Sequence, residues 1–341
     1  MNARRIGIPA RFLMPFVGVL VVLVAYTVYW IYAQGQIRQS TLNWIDQQRA
    51  SGYEITHEPV RIGGYPFRFE VRLSGISAST PGNDAGWSLQ DGSVVAVAMP
   101  YDFAHWIAEI RDPVTLDLRG EGQYVLSAAS ARMSIRAGSA STQRIAIEID
   151  DLDVETRSGN AASIRSMEHF RLISELTEDN TLQTRLAAGG LTIGDVVFDD
   201  DLLDELGHDI AALRLDLTVT QWSELARDAR ADLWREAGGV VEVGESGIDW
   251  GSVTMQAEGR VGLDAGDYPE GRVSLFILDP EALADVLVTS GIVSGDNENA
   301  LRLLAQSAPR GERGTAVPLT LRRGGVYLGP VRIGNLERIG G

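Results

Sequence analysis

Apolar and polar positions follow three successive rhythms along this chain. Residues 12–33, FLMPFVGVLVVLVAYTVYWIYA, contain no charged side chain; at ~1.5 Å rise per residue such a helix crosses the ~30 Å hydrocarbon core of a bilayer. Ile37, Thr41, Trp44 and Ile45 then recur at helical spacing up to Ser51-Gly52, which predicts that the membrane helix continues outward as a stalk, with its connection, over 34–58. From Phe67 the period changes to two. Phe67, Phe69, Val71 and Leu73 fall on one face and Arg68, Glu70 and Arg72 on the other, the signature of a half-buried antiparallel strand.

That alternation returns at Val114–Leu118, Ile145–Ile149, Leu213–Val219, Val253–Gln256, Arg272–Ile277 and Leu319–Arg322, with Gly-rich turns between. Helices are few. One apolar stripe of Trp222, Leu225, Ala226, Ala229 and Leu233 predicts a helix over 222–236; a second runs from an Asp279 N-cap with Pro280 behind it towards Gly291; a third spans about 296–307. Shorter helical turns are expected at Asp200–Leu206 and Asp102–Ile110. The fold class is therefore mainly β (α+β): one N-terminal transmembrane helix, then a large curved antiparallel sheet over 59–341 with three or four short helices. A weak echo between Phe67–Ile110 and Ile248–Gly291, each giving a strand, a Trp, more strand and a helical segment, suggests two related halves.

One-faced strands must bury that face. So few helices cannot cover more than a dozen strands, so the sheet either folds over on itself as a sandwich or barrel or leaves an apolar groove for a ligand. The groove candidates are Tyr65, Phe67, Phe69, Val71 and Leu73 with Leu213, Leu215, Leu217 and Val219. For Tyr65, Phe67 and Phe69 a plainer role is to fill the core behind a strand entrance set by Gly64 and Pro66.

Charge fixes the expected orientation. Arg4, Arg5 and Arg11 precede the span and no acidic residue occurs before Asp46, so the positive-inside rule puts residues 1–11 in the cytoplasm and everything after Ala33 outside. Tyr29, Trp30 and Tyr32 suit an aromatic belt at the far interface. A cleaved signal peptide competes, but its apolar region usually spans about 7–15 residues. Beyond the span, 27 basic residues face all 46 acidic ones, a formal charge of −19. That surface repels phosphate backbones and argues against nucleic-acid binding.

The absence of cysteine removes disulfides and thiolate chemistry. Every basic residue is Arg, so a Lys-dependent phosphate loop is excluded. The histidines, His57, His105, His169 and His208, have no metal-ligand spacing, and Gly244-Glu245-Ser246-Gly247 lacks the spacing of a nucleophile elbow. Asp199, Asp200 and Asp201 form the weak metal candidate; a helix there would instead use them at its positive end. No cofactor is expected.

The segment Gly63-Gly64-Tyr65-Pro66-Phe67-Arg68-Phe69 soon after a single span, the strand–turn–strand of Gly259–Leu275, and Leu319-Thr320-Leu321 followed by Gly325–Pro330 resemble a bacterial membrane-anchored periplasmic family known as domain of unknown function 2125. The resemblance covers nearly the whole chain and implies a location and an architecture without an activity. At fold level the same pieces are more distantly similar to AsmA-type envelope proteins, which implies a β groove that handles lipid.

These readings lead to a non-enzymatic protein of the inner membrane that binds or hands on a lipid or other apolar ligand in envelope maintenance. The alternative is a scaffold presenting a strand edge to an envelope partner. Third is an envelope hydrolase, which needs distant carboxylates such as Glu54, Asp102 and Asp249 brought into one pocket.

Overall fold

The computed structural model describes residues 10–82, 86–111, 113–138, 143–228, 230–293 and 296–339. Arg4, Arg5 and Ala229, used in the sequence reading, lie outside them, as does the side chain of Arg11. The described residues start with one unbroken helix, α1 (Ala10–Ala50), so the apolar run and its continuation are a single element. It ends at Ser51-Gly52, where Gly52 takes a φ of 96° that favours glycine.

An antiparallel meander follows. Strands β1 (Glu54–Thr56) and β2 (Arg61–Gly63) both pair with one edge of β3 (Phe69–Ser79), whose other edge meets β4 (Trp87–Met99). On its far side β4 takes β5 (Asp102–Ile110) and β6 (Val114–Leu118); these pair with β8 (Ser130–Ala137) and β7 (Gly122–Ser127), and both of those pair with β9 (Gln143–Gly159). Thus β5–β6 and β7–β8 each act as one long strand with a bend. Pro113, which has no N–H to give to a ladder, sits at the first bend.

From β9 the registers continue in chain order through β10 (Ile164–Leu176), β11 (Leu182–Ile193), β12 (Asp209–Val219), β13 (Val241–Trp250), β14 (Val253–Leu263) and β15 (Pro269–Ile277). The last rungs are β17 (Gly314–Arg322), with the short β16 (Arg310–Gly311) beside it, then β18 (Gly325–Leu328) and β19 (Val331–Asn335). Among the described residues no register returns from β19 to β1, β2 or β3, so the sheet does not close.

Helices cover its two ends on one face. Near the C-terminus α2 (Asp200–Leu206), α5 (Pro280–Thr289) and α6 (Asp296–Ser307) pack in sequence. Leu203, Leu206 and Val286 meet Met167, Ile210 and Trp250, while Val293, Leu301 and Ala305 meet Ile277, Val317 and Val331. The Asp279 side chain accepts from the N–H groups of Glu281 and Ala282, the expected cap of α5.

Three local expectations change. Asp102–Ile110 is strand β5, not a helical turn, because alternating Trp106, Ala108 and Ile110 find partners on both β4 and β8. The last element of the echo therefore differs between the two segments, a strand standing where the later one has α5. The stripe over 222–236 is two helices, α3 (Trp222–Asp228) and α4 (Ala231–Glu236): Arg230 is extended at φ −84°, ψ 95°, and the Trp234 indole N–H donates to the Thr220 carbonyl at 2.7 Å, turning α4 back.

The other end of the sheet is covered by α1. Helix α1 is not free: Trp30 and Ala33 at the end of the apolar run and Ile37 and Ile45 in the stalk line one stripe, with Trp30, Ala33 and Ile45 buried. Trp30 stacks on Phe69 with ring centroids 5.1 Å apart and 11° between planes. Phe69, on β3, is 0 % exposed. Trp30 therefore faces the sheet, whereas Tyr29 and Tyr32 on either side of it are exposed.

On the opposite face of β3, buried Glu70 accepts from Arg68 Nη2 and Arg72 Nε, each at 2.6 Å. Burial pushes the Glu70 carboxyl upward, but the two guanidiniums outweigh it and hold its pKa below the ordinary 4.5. A lowered carboxylate pKa gives stability that is present above the unfolded-state value of about 4.3 and is lost as pH falls through the folded-state value. Glu70→Gln is expected to cost about 1 kcal/mol at neutral pH, discounted because both arginines are more than half exposed. Urea unfolding at pH 7 and at pH 3 checks this: the difference between wild type and variant should shrink at the lower pH.

Candidate functional site

Cross-strand registers decide where the one-faced strands point together. Reading directly opposed residues from β3 to β15 gives Leu73, Val94, Ile110, Ala131, Ile149, Phe170, Ala188, Leu213, Ile248, Met255 and Ile277, an apolar row without a polar break. A second row, one rung along each strand, runs Val71, Ala96, Ala108, Met133, Ile147, Leu172, Leu186 and Leu215. At about 4.8 Å between strands, the first row follows a path of roughly 50 Å along the sheet.

The reverse face is polar and charge-paired. Arg171 opposes Glu148, Arg144 opposes Glu175 and Arg185 opposes Asp216, with ion pairs at 4.0, 4.0 and 3.7 Å. Such pairs contribute little stability at the surface. They do identify which side of the sheet faces water.

Between the helix-covered ends the apolar rows are only partly buried. Ile110 is 45 % exposed, Met133 37 % and Leu215 36 %. Under α1 the trough deepens into a cavity of about 800 Å³, walled by Tyr32, Ile37 and Trp44 from the helix and by Val71, Leu73 and Trp106 from the sheet. A second, of about 210 Å³, lies at the β5–β6 bend, between Leu89, Val114, Leu126, Ala131, Ile149 and Leu152. An apolar lining with few polar groups is suited to aliphatic chains rather than to charged substrates.

The sequence-derived groove residues divide accordingly. Val71, Leu73, Leu213 and Leu215 lie on the two apolar rows, joined through eight strands, and Leu217, opposite Thr184 and Val243, continues that face along β12. Val219 sits at the end of β12, opposite Leu182 and Val241. Phe69 is core beneath α1 rather than lining. Phe67 is not on the inward face of a strand: it lies in the turn before β3 and is 81 % exposed, and Tyr65 is also exposed. The turn forms because Gly64, at φ 96°, lets the N–H groups of Phe67 and Arg68 reach its carbonyl at 3.1 and 3.0 Å; a Cβ there would lie 2.6 Å from the Arg68 carbonyl oxygen. Reading alternation alone missed Ile147, Leu172, Met133 and Leu186 as groove residues, since only their registers align them with the two named segments.

The chemistry sought elsewhere is dispersed. Asp199 is the N-cap residue of α2 but makes no side-chain capping bond, and Asp200 and Asp201 occupy the first turn. Among the described residues no group of three or more His, Asp or Glu is placed to hold a metal ion. Glu54, Asp102 and Asp249 stand on β1, β5 and β13; Asp102 pairs with Arg136 at 3.3 Å and Asp249 accepts from the Thr254 hydroxyl. The structure does not gather them into one pocket.

No curated protein and no solved structure matches the chain, so the likeness to AsmA-type proteins stays with the sequence motifs quoted above. A family model does match: it covers residues 30–337, from the buried Trp30 to just beyond β19, and is described as DUF2125, an uncharacterized protein conserved in bacteria. The chain belongs to that family.

Proposed function

We propose that this protein crosses the bacterial inner membrane once, with its N-terminus in the cytoplasm and its sheet in the periplasm, and that the apolar trough holds the acyl chains of a lipid for storage or transfer in the envelope. The observation that carries the reading is the unbroken apolar row across β3–β15, left partly exposed between two helix-covered ends. A monomeric soluble domain rarely exposes so large a contiguous apolar surface without a partner for it. Helix α1, long and apolar enough to cross a membrane, supports the location. The protein acts without catalysis in this reading: the trough supplies area and shape.

The test is photocrosslinking in living cells with a benzophenone amino acid placed at Leu215, on the trough, or at Arg214, its neighbour on the opposite face. Phospholipid is expected covalently attached at 215 and absent at 214. Crosslinks from 215 to a protein alone would sink the lipid reading and favour a scaffold.

A further inference from the structure

Two loops meet α1 where it joins the sheet. In the 64–68 turn the Tyr26 hydroxyl donates to the Pro66 carbonyl, the Thr27 and Tyr65 hydroxyls are 2.7 Å apart, and the Tyr65 ring meets Trp30 edge-on at 5.4 Å. In the β4–β5 turn the Pro100 carbonyl accepts from the Tyr29 hydroxyl at 3.1 Å. Both loops are thus tied to the helix across residues 26–29, and both turn apolar rings outward. Phe67 is 81 % exposed and Tyr101 84 %, with Tyr65 and Met99 beside them also exposed.

The helix leaves no room to hold this ring of side chains away from a bilayer. Trp30 belongs to the folded domain, so the apolar run retains only residues 12–29 for a membrane, about 27 Å at ~1.5 Å per residue against a ~30 Å hydrocarbon core. No linker or helix break separates the two parts. Val19–Val24, one to two turns before the loops, are all more than half exposed.

We infer that the 64–68 and 99–102 turns form a collar that docks into the interfacial layer of the same bilayer that α1 crosses, with Phe67 and Tyr101 at the headgroup–acyl boundary. This rests on reading α1 as a membrane span. Aromatic rings favour that boundary because one side of it is apolar and the other wet. The collar is tied to Tyr29, and Tyr29 also lines the 800 Å³ cavity, so docking sets the mouth of the trough against the membrane surface.

The chain has no cysteine, so single cysteines introduced into the full protein carry a spin label at one site each. Labels replace Phe67, Tyr101, Val22 as the span reference, and Arg171 as the water reference on the polar face, in phosphatidylcholine nanodiscs. Power saturation should show labels 67 and 101 losing access to a water-soluble nickel chelate and gaining access to oxygen, as at Val22. If 67 and 101 respond like 171 while Val22 is protected, the collar is overturned and the span stands; if Val22 also responds like 171, the span reading falls and the collar with it. Both collar side chains are exposed, so neither substitution disturbs the core.

Discussion

Trp30→Ala is expected to destabilise the protein by about 3–5 kcal/mol, the range for truncating a buried aromatic residue. The ring is buried between α1 and β3, stacked on a Phe69 that is itself packed against Phe103 at 5.3 Å, and it touches the cluster formed with Ala33, Ile37, Tyr26 and Ile62. The stacked pair adds about 0.5–1.5 kcal/mol beyond burial of area. Ile31, the next residue in the same apolar run, is 60 % exposed, and Ile31→Ala is expected to change stability by less than about 0.5 kcal/mol. Denaturant unfolding of the full chain in detergent, followed by circular dichroism of the sheet, separates the two. Equal effects would mean that α1 does not dock on the sheet, and the 800 Å³ cavity would then lack one wall.

That contrast also marks the limit of what apolar patterning conveys. Trp30 and Ile31 fall in the same uncharged apolar run, which does not separate a lipid-facing residue from a core residue; only the stripe that continues through Ile37 and Ile45 carries the distinction. The strands themselves were legible wherever polar and apolar residues alternate, as in β3, β9 and β12. Alternation does not see the start of a strand: it runs back through Phe67, but Gly64 and Pro66 place that residue in a turn. It also fails for β5, where aromatic and apolar residues occupy both faces and the period blurs.

The trough was half legible. Each segment announced one apolar face, and the shortage of helices argued that some of it stays uncovered. What joins Leu73 to Leu213 is register, and register is set by turns and bulges between strands, which composition does not encode. A slip of one residue in any of the intervening pairs would have turned part of the row to the polar side. Register shifts do occur along these ladders, among them Ile164/Ser166, Ile210/Ala212, Arg214/Leu217 and Val243/Ser246, and the first apolar row passes between them intact.

Leu215→Glu is expected to lower lipid occupancy of the trough by more than tenfold while leaving the fold standing. Leu215 opposes Leu186 on the second apolar row and is 36 % exposed, so water reaches a carboxylate placed there in the empty protein. An acyl chain laid along the row removes that water, and an unpaired charge against hydrocarbon costs several kcal/mol; each 1.4 kcal/mol is a factor of about ten in affinity. The adjacent Arg214 and the diagonal Arg185 offer no relief, since both project from the opposite face, where Arg185 lies 3.7 Å from Asp216. Leu215→Met keeps volume and apolarity and should retain lipid. The two variants are compared by purifying each from cells in a lipid-free detergent, checking that unfolding midpoints agree, and counting bound phospholipid by native mass spectrometry. Unchanged occupancy in the Glu variant would mean that the acyl chains, if present, do not lie on this row.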